Sequence, residues 1–235
     1  MPDIVEGLVF YAVFLASTVL HEAAHAWAAL KGGDTTAYEG GQVTLDPMPH
    51  IRREPFGMVG LPILSVMVAG WPFGFASAPY NVRWATRYPD RAAWMALAGP
   101  GANLLLVLIA GLLINFGVAA GVFYSPDTIN FADVTAATAG AGSWWHSMGF
   151  VLGSFFALNL LLFVFNLLPF PPLDGSAALT LLLPEHLVSR YQSFVWSTPQ
   201  LSWVGLIIAW FVFDFFFDPI HLTAINLLYP GVTYN

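Results

Sequence analysis

The feature that most constrains this chain is a His-Glu-x-x-His pattern, His21 to His25, set inside an apolar stretch. Histidines four residues apart on a helix lie one turn apart on the same face, so both imidazoles can bind one zinc ion. Glu22 lies between them and can reach a water at the metal. Two histidines and a glutamate are costly to bury in a membrane without partners. The stretch therefore predicts a metal-binding helix and disfavours a pair of merely packed histidines.

The composition indicates that this helix belongs to a membrane protein. Of the 235 residues, 57% are hydrophobic and 9% are charged, and the mean hydropathy is +0.69. These values are typical of polytopic membrane proteins. The net charge of -7 disfavours a basic nucleic-acid-binding surface, so we expect a lipid bilayer and no nucleic acid as partner. Because the chain has no cysteine, a zinc site must use nitrogen and oxygen ligands.

Four apolar runs predict transmembrane helices, at about 4–30, 92–123, 148–168 and 201–217. The first run ends at Gly32-Gly33. The second carries a predicted break at Pro100, which removes a backbone hydrogen bond. Trp144, Trp145 and His146 are typical of an aromatic belt at the membrane interface, and the tail 218–235 is expected to rest at the interface.

A fifth apolar stretch, 58–75, is interrupted by proline and glycine at both ends, so we predict that it is re-entrant. Residues 40–45 lie between helix breakers and predict a short strand. The expected fold is an all-α polytopic membrane protein with about four transmembrane helices, a re-entrant segment, and a short β-strand or hairpin near the cytosolic face. We expect a single membrane domain over 1–235, with no signal peptide and no soluble appendage.

A catalytic zinc site needs a third protein ligand beside the two histidines, and one open position. Four residues in or near the membrane qualify: Asp174, Asp214, His146 and His221. Asp174 ends a proline-rich, helix-breaking stretch that brings backbone close to a site. Asp214 lies in the phenylalanine-rich last span with no breaker beside it. The residues alone leave this choice open.

A ligand at position 174 would determine the topology. His25 and Asp174 would lie at similar depth, each near the C-terminal end of its helix, so the two helices would run in the same direction. The run at 92–123 provides one crossing between them, so 58–75 must provide none or two. A re-entrant 58–75 also puts all seven basic residues on one side, as expected of the cytoplasm. The N-terminus then faces outside, and the zinc site opens toward the cytosol.

Three motifs, in order, resemble those of the site-2 protease family of intramembrane zinc metalloproteases, especially its compact bacterial branch without PDZ or CBS domains. The motifs are His21-Glu22-Ala23-Ala24-His25, Leu97-Ala98-Gly99-Pro100-Gly101-Ala102-Asn103, and Asn166-x-x-Pro169-x-Pro171-x-Leu173-Asp174-Gly175. The stretch from Leu45 to Asn81 is similar to the re-entrant region of this branch, except that Ser77 stands where a lysine is expected.

The resemblance implies that His21, His25 and Asp174 bind one Zn²⁺ and that Glu22 is the general base. It implies that Asn166 holds the substrate backbone or stabilises the oxyanion. It also implies that transmembrane proteins are the substrates, cleaved within the cell membrane at a site open to the cytoplasm. Two alternatives remain: a membrane metal-binding or transport protein with the same ligands, and an inactive protease homologue that serves as a scaffold.

The remaining polar residues have weaker interpretations. Asn103 is either a helix–helix hydrogen bond or a catalytic group, and Asn159 is interpreted as structural. His50 is interpreted as a surface or headgroup contact, with a role at the cytosolic mouth of the site as the alternative. We hypothesise that the re-entrant segment and the 40–45 strand clamp an unwound substrate by strand addition. The role of Asp214 and the oligomeric state are left open.

Overall fold

The computed structural model describes residues 4–131 and 133–234, which are mostly helical. In chain order the helices are α1 (Ile4–Gly32), α2 (Thr36–Glu39), α3 (Pro47–Arg53), α4 (Leu61–Ala69), α5 (Val82–Arg87), α6 (Pro89–Ala119), α7 (Trp144–Asn166), α8 (Asp174–Ala178), α9 (Glu185–Ser197) and α10 (Gln200–Leu228). A π-helical turn, Phe56–Gly60, leads into α4, and a 3₁₀ turn, Leu179–Leu182, follows α8. The predicted fold class, an all-α polytopic membrane protein, is confirmed.

Four helices in the described ranges are long and apolar enough to cross a membrane: α1, α6, α7 and α10. Helix α1 ends where the Gly32-Gly33 signal predicts, and Gly33 takes a φ of 97° that favours glycine. Helix α7 begins at Trp144, earlier than predicted, because the Ser143 hydroxyl caps it by accepting a hydrogen bond from the His146 N–H. Trp144, Trp145 and His146 therefore form the first turn of α7.

The expectation that Pro100 breaks its helix is wrong, because α6 continues through it from Pro89 to Ala119. The last span is also longer than the predicted 201–217, because α10 continues through Pro219 to Leu228. A proline removes one backbone hydrogen bond, but a membrane-spanning helix tolerates it where packing against neighbours supports the remaining turns. Pro100 is buried among such neighbours, and Ile225 and Leu228 pack into a core with α6 and α7.

The re-entrant prediction agrees with the path of the chain. The apolar helical stretch Phe56–Ala69 ends at Gly70, whose φ of 84° reverses the chain. The chain then returns beside the start of the same stretch, where the Phe75 N–H donates to the Gly57 carbonyl at 3.1 Å. The Arg53 Nε donates to the Ser77 carbonyl at 2.9 Å. The segment therefore enters and leaves side by side, as a hairpin rather than a crossing.

The predicted strand at 40–45 is wrong. This stretch turns back on α2, where the Gln42 N–H donates to the Ala37 carbonyl at 2.9 Å, and Asp46 then caps α3. The two-stranded antiparallel sheet instead joins Phe123–Tyr124 (β1) to Ala136–Ala137 (β2) in the loop between α6 and α7. That loop lies at the end of α6 remote from the C-terminal end of α1, so residues other than the predicted 40–45 form the sheet.

The directions of the long helices follow from their contacts. Phe10 packs on Phe150, and Phe14 clusters with Leu158, so α1 and α7 run in the same direction. Helix α6 runs against α1, because Arg91 at its start contacts Gly32 at the end of α1. The parallel direction of α1 and α7, with the antiparallel α6 between them in the chain, is the arrangement that the predicted single crossing requires.

A buried aspartate joins the end of α1 to the start of α5. One Asp34 oxygen accepts from the Thr36 N–H and hydroxyl at 3.0 and 2.6 Å. The other accepts from the Asn81 N–H at 2.7 Å. Burial raises the pKa of Asp34, but these hydrogen bonds outweigh burial and hold the pKa below its usual value. Ionised Asp34, just after the end of α1, therefore binds the backbone at Asn81, where the chain leaves the re-entrant hairpin.

We expect Asp34→Ala to lower the free energy of unfolding by about 1–3 kcal/mol, since buried donors lose a charged acceptor. Because the folded-state pKa is lowered, this contribution is present above about pH 4 and is lost as the pH falls further toward the folded-state value. Thermal unfolding in detergent at several pH values measures both effects. Asp127→Ala, at an exposed carboxylate, is the control; equal effects of both variants at all pH values would contradict the assignment.

Candidate metal centre

Three side chains from two distant parts of the chain converge at one point. His21 and His25 are both buried on one face of α1, with their Nε2 atoms 2.9 Å apart. The Asp174 Oδ2 lies 3.2 Å from the Nε2 of His21 and 3.3 Å from that of His25. Within the described ranges, this is the group of histidine and acidic residues whose donor atoms lie close enough together to hold a metal ion.

Asp174 reaches the histidines because the chain turns sharply after α7. The Leu173 N–H donates to the Phe170 carbonyl at 2.9 Å, which closes the turn that precedes α8. A Cβ at Gly175 would fall 2.5 Å from the Leu168 carbonyl oxygen, and closer still to Leu167, so only glycine allows α8 to pack on the end of α7. The Asp-Gly pair thus places the Asp174 carboxylate beside the two histidines of α1.

The outer nitrogens of both imidazoles are hydrogen-bonded. The Nδ1 of His25 lies 2.7 Å from the Met95 carbonyl oxygen. Because a backbone carbonyl only accepts, His25 Nδ1 carries a proton, and the Nε2 of the neutral ring carries a lone pair. The same carbonyl sets the orientation of the ring toward Asp174. A carbonyl or carboxylate in this position is the usual outer contact of a metal-binding histidine.

A chain of buried amides determines the tautomer of His21. The Asn159 Nδ2 donates to the Phe155 carbonyl and to the Ser17 hydroxyl, both at 2.9 Å, so its Oδ1 is an acceptor. That oxygen accepts from the Asn103 Nδ2 at 2.8 Å, which leaves the Asn103 Oδ1 facing His21 Nδ1 at 2.6 Å. His21 Nδ1 is therefore the donor, and its Nε2 also carries a lone pair.

Three atoms with lone pairs thus face one another in a buried site. The Asp174 Oδ2 makes no hydrogen bond to any described residue. A single proton can bridge only two of the three atoms, whereas a metal ion can contact all three. Tetrahedral zinc with bonds of about 2.0–2.1 Å places its ligands about 3.3 Å apart, close to the observed separations. The donor set, two nitrogens and one oxygen, and its spacing both fit Zn²⁺.

Glu22 is the other buried acid at this site. It follows His21 on α1, and its carboxylate interacts electrostatically with His25. The Glu22 Oε2 is buried and makes no hydrogen bond within the described residues. An unpaired carboxylate oxygen in an apolar helix is costly unless a ligand or water contacts it. Its place on α1, next to His21 and within electrostatic reach of His25, is suitable for a proton acceptor.

The structure does not join the other predicted residues to this group. Asn166 ends α7, and its Nδ2 donates to the Leu162 carbonyl of the same helix at 2.9 Å. Of the alternative third ligands, His146 lies in the first turn of α7, and Asp214 and His221 lie on α10, all outside the group. Among these candidates, the geometry favours Asp174.

Two residues near the re-entrant segment differ from expectation. His50 is only 1% exposed, and its Nε2 lies 3.1 Å from the Thr44 carbonyl, so the interpretation as a surface contact is wrong. Its burial follows from its position on the inner face of α3, which packs on α1. Ser77, where a lysine was expected, accepts from Arg53 and donates to Glu54 at 2.7 Å. It therefore helps close the hairpin.

Sequence reasoning named Asn103 and Asn159 but missed that they orient His21, and it missed the Met95 carbonyl that orients His25. Asn103 and Asn159 are both fully buried, and Asn103 serves both as a helix–helix contact and as the partner of His21. Amides inside apolar runs were the available signal, although it did not indicate which group they would bond. The Met95 carbonyl left no signal, because a backbone oxygen is the same for every residue type.

Comparison with known proteins identifies relatives over most of the chain. The Bacillus subtilis protein named "Putative zinc metalloprotease YwhC" is 34% identical over 171 residues, which cover 72% of this chain and 67% of that protein. The Mycolicibacterium smegmatis protein named "Putative zinc metalloprotease Rip2" is 31% identical over 214 residues, covering 86% of this chain and 71% of that protein. The Mycobacterium tuberculosis protein of the same name is 29% identical over 195 residues, which cover 83% of this chain and 63% of that protein. No family model matches, and no solved structure matches.

We expect Asn103→Ala to weaken zinc binding by about 10–100-fold, because His21 loses the acceptor that orients it. The measurement is zinc content and affinity of the purified protein in detergent. Asn115→Ala is the matched control, because Asn115 is on the same helix and, within the described part of the chain, donates to the Gly111 carbonyl rather than to a histidine. Equal zinc affinity of both variants would contradict a role of Asn103 at the site.

Proposed function

The chain belongs to the site-2 protease family of zinc metalloproteases, and on this premise we propose that it is an intramembrane endopeptidase. Its substrates are transmembrane proteins, and it hydrolyses peptide bonds within their membrane-spanning helices. As a zinc metalloprotease it uses Zn²⁺. The observation that carries the proposal is the convergence of three lone-pair atoms beside an unpaired glutamate, inside a bundle of membrane-spanning helices.

We assign His21, His25 and Asp174 as the zinc ligands. When bound, zinc supplies Lewis acidity, which polarises a carbonyl and makes water an effective nucleophile near neutral pH. Two neutral imidazoles and one carboxylate would leave a bound ion with net positive charge, and three protein ligands would leave one position for a further ligand. The hydrogen bonds from His21 to Asn103 and from His25 to Met95 support this assignment, since they aim both Nε2 atoms at one point.

Glu22 acts as the general base in this proposal. Its buried oxygen without a partner is available to take a proton from the attacking water and to pass it to the leaving amine. Its neighbour His21 is a proposed ligand, so the carboxylate is held beside the reacting centre by the helix itself. Such proton transfer typically contributes about 10²–10⁴-fold in rate.

Asn166 is proposed to hold the substrate backbone or to donate to the oxyanion. One of its amide protons is bonded to the Leu162 carbonyl, which leaves the other free to donate. Its place at the end of α7, just before the turn to Asp174, supports this role. A lost oxyanion donor typically costs about 3 kcal/mol in activation free energy.

A substrate helix must unwind before cleavage, because helical hydrogen bonds shield its carbonyls. We retain the hypothesis that the re-entrant segment clamps the unwound stretch by strand addition, but without a strand at 40–45. Residues 72–81 have no regular secondary structure, so their backbone is not committed to a helix or a sheet. Irregular backbone at this depth is tolerated only where it lines protein or a water-filled cavity, which is what cleavage requires.

We further propose that residues 1–235 form a single domain in the cell membrane, with the N-terminus outside and the active site toward the cytoplasm. The support is the positive-inside rule, because all seven basic residues lie at one end of the bundle in this arrangement. The direction of α1 and α7, and the hairpin at 56–75, are consistent with it.

Two other functions use the same residues and are distinguishable from proteolysis. A metal transporter or metal-binding membrane protein needs the ligand set but not Glu22 as a base. An inactive homologue acting as a scaffold needs neither zinc nor Glu22. The buried Oε2 of Glu22 has no hydrogen-bond partner among the described residues, and this favours proteolysis because neither alternative explains its cost in an apolar helix.

We expect Glu22→Gln to abolish peptide cleavage while zinc stays bound, because the amide cannot accept the proton from water. The measurement combines cleavage of a panel of single-span substrates in reconstituted vesicles with zinc analysis of the same samples. Retained cleavage would contradict the general-base assignment. Retained metal flux across the vesicles without cleavage would favour transport.

We expect Asp174→Ala to lose both zinc and cleavage, since it removes a ligand, and Asp214→Ala to keep both. Asp214 is the matched control because it is an exposed aspartate on α10, outside the donor group. Zinc content before and after chelation and re-addition of Zn²⁺ measures the difference. Loss of zinc from the Asp214 variant, with retention in the Asp174 variant, would reverse the choice of ligand.

A further inference from the structure

We propose that Gly99 is the positioning residue that lets His21 and His25 bring their Nε2 atoms together on one ion. The inference rests on the proposed zinc site and assigns that site a requirement on α6 in addition to its ligands. Gly99 lies inside α6, opposite both histidines of α1. It does not coordinate the ion and acts only by leaving space.

Three residues of α6 form a cradle for the two imidazoles. Met95, Gly99 and Asn103 are each four residues apart and therefore share one helix face. The Met95 carbonyl accepts from His25 Nδ1 at 2.7 Å, and the Asn103 Oδ1 accepts from His21 Nδ1 at 2.6 Å. Gly99 lies between these two acceptors, so it faces the inner nitrogens.

A side chain at this position has no room. A Cβ on residue 99 would fall 2.5 Å from the Nε2 of His21 and 2.6 Å from the Cε1 of His25, and closer still to the Nε2 of His25. Real Cβ atoms are almost never found under 3.0 Å from another heavy atom. The contact falls on the two atoms that are proposed to bind zinc.

The imidazoles cannot move away without loss of the site. Each ring is buried and is held on its far side by the hydrogen bond from Nδ1. Rotation of either ring, or separation of α1 from α6, would break these bonds and would part the two Nε2 atoms. An added methyl group is therefore expected to reduce zinc binding rather than to be absorbed by a flexible neighbour.

Glycine at 99 also runs against local preference. Alanine is more favourable than glycine in the interior of a helix, so packing must account for a glycine there. The same helix carries the control, because a Cβ on Gly101 would meet nothing within 4 Å. The two glycines lie on the same helix, but Gly99 is buried against the imidazoles whereas Gly101 is exposed, so an added methyl group meets a neighbour only at Gly99.

The first test compares Gly99→Ala with Gly101→Ala in the full chain, purified in detergent and loaded with Zn²⁺. We expect Gly99→Ala to lower bound zinc about tenfold or more, and Gly101→Ala to keep the wild-type content. The visible absorption of bound Co²⁺, which reports a tetrahedral site, is expected to disappear in the first variant only. Equal zinc in Gly99→Ala and wild type would overturn the inference and leave the proposed function intact. A wild-type protein that binds no zinc would overturn both.

A double-mutant cycle separates this role from general packing. Gly99→Ala is introduced into the wild type and into His21→Ala/His25→Ala, and thermal unfolding is measured after chelation of all metal. We expect the melting temperature to fall in the wild-type background and to stay equal or rise in the second, where no imidazole opposes the methyl group. An equal fall in both backgrounds would overturn the inference.

Discussion

The convergence of three buried lone pairs on one point is the constraint on which this structure depends. The Nε2 atoms of His21 and His25 and the Oδ2 of Asp174 lie 2.9 to 3.3 Å apart, with no donor among the described residues for the carboxylate oxygen. In a membrane there is little water to satisfy such atoms, so an unfilled group would be costly. A divalent cation satisfies all three at once. Membership of a zinc metalloprotease family is in accord with this requirement.

The Nδ1 atoms of both imidazoles, which face away from the group, are hydrogen-bonded, whereas the Asp174 Oδ2 that faces the imidazoles accepts no hydrogen bond from the described residues. From His21 the hydrogen bonds run through Asn103 and Asn159 to the Phe155 carbonyl, and from His25 directly to the Met95 carbonyl. Helices α1, α6 and α7 each contribute, so no two of them could form the site alone. The C-terminal end of α1 is joined to α5 and to the start of α6, because Trp84 and Arg91 both donate to the Gly32 carbonyl at 3.0 Å. The contacts that assemble the helix bundle therefore also orient the side chains of the site.

Much of the fold was predictable because hydropathy and helix breakers act over short stretches of chain. The four long helices and the hairpin at 56–75 follow from apolar runs and their glycine and proline flanks. The errors share a physical cause, which is that packing overrides local signals. Pro100 and Pro219 do not interrupt their helices, because neighbouring helices support the remaining turns. The polar stretch at 40–45 folds onto α2 instead of forming a strand, and His50 is buried there rather than exposed.

The sequence by itself determined the spacing of His21, Glu22 and His25 on one helix face, and the number of spans around them, because these follow from covalent geometry and from the cost of placing polar groups in lipid. It left the third ligand open among several acids and histidines. Only the tertiary structure decided that Asp174, rather than Asp214, lies at the two imidazoles, which ring nitrogens carry protons, and that Gly99 opens the space between them. Those features depend on contacts between residues far apart in the chain, and no local pattern specifies where two distant segments will meet.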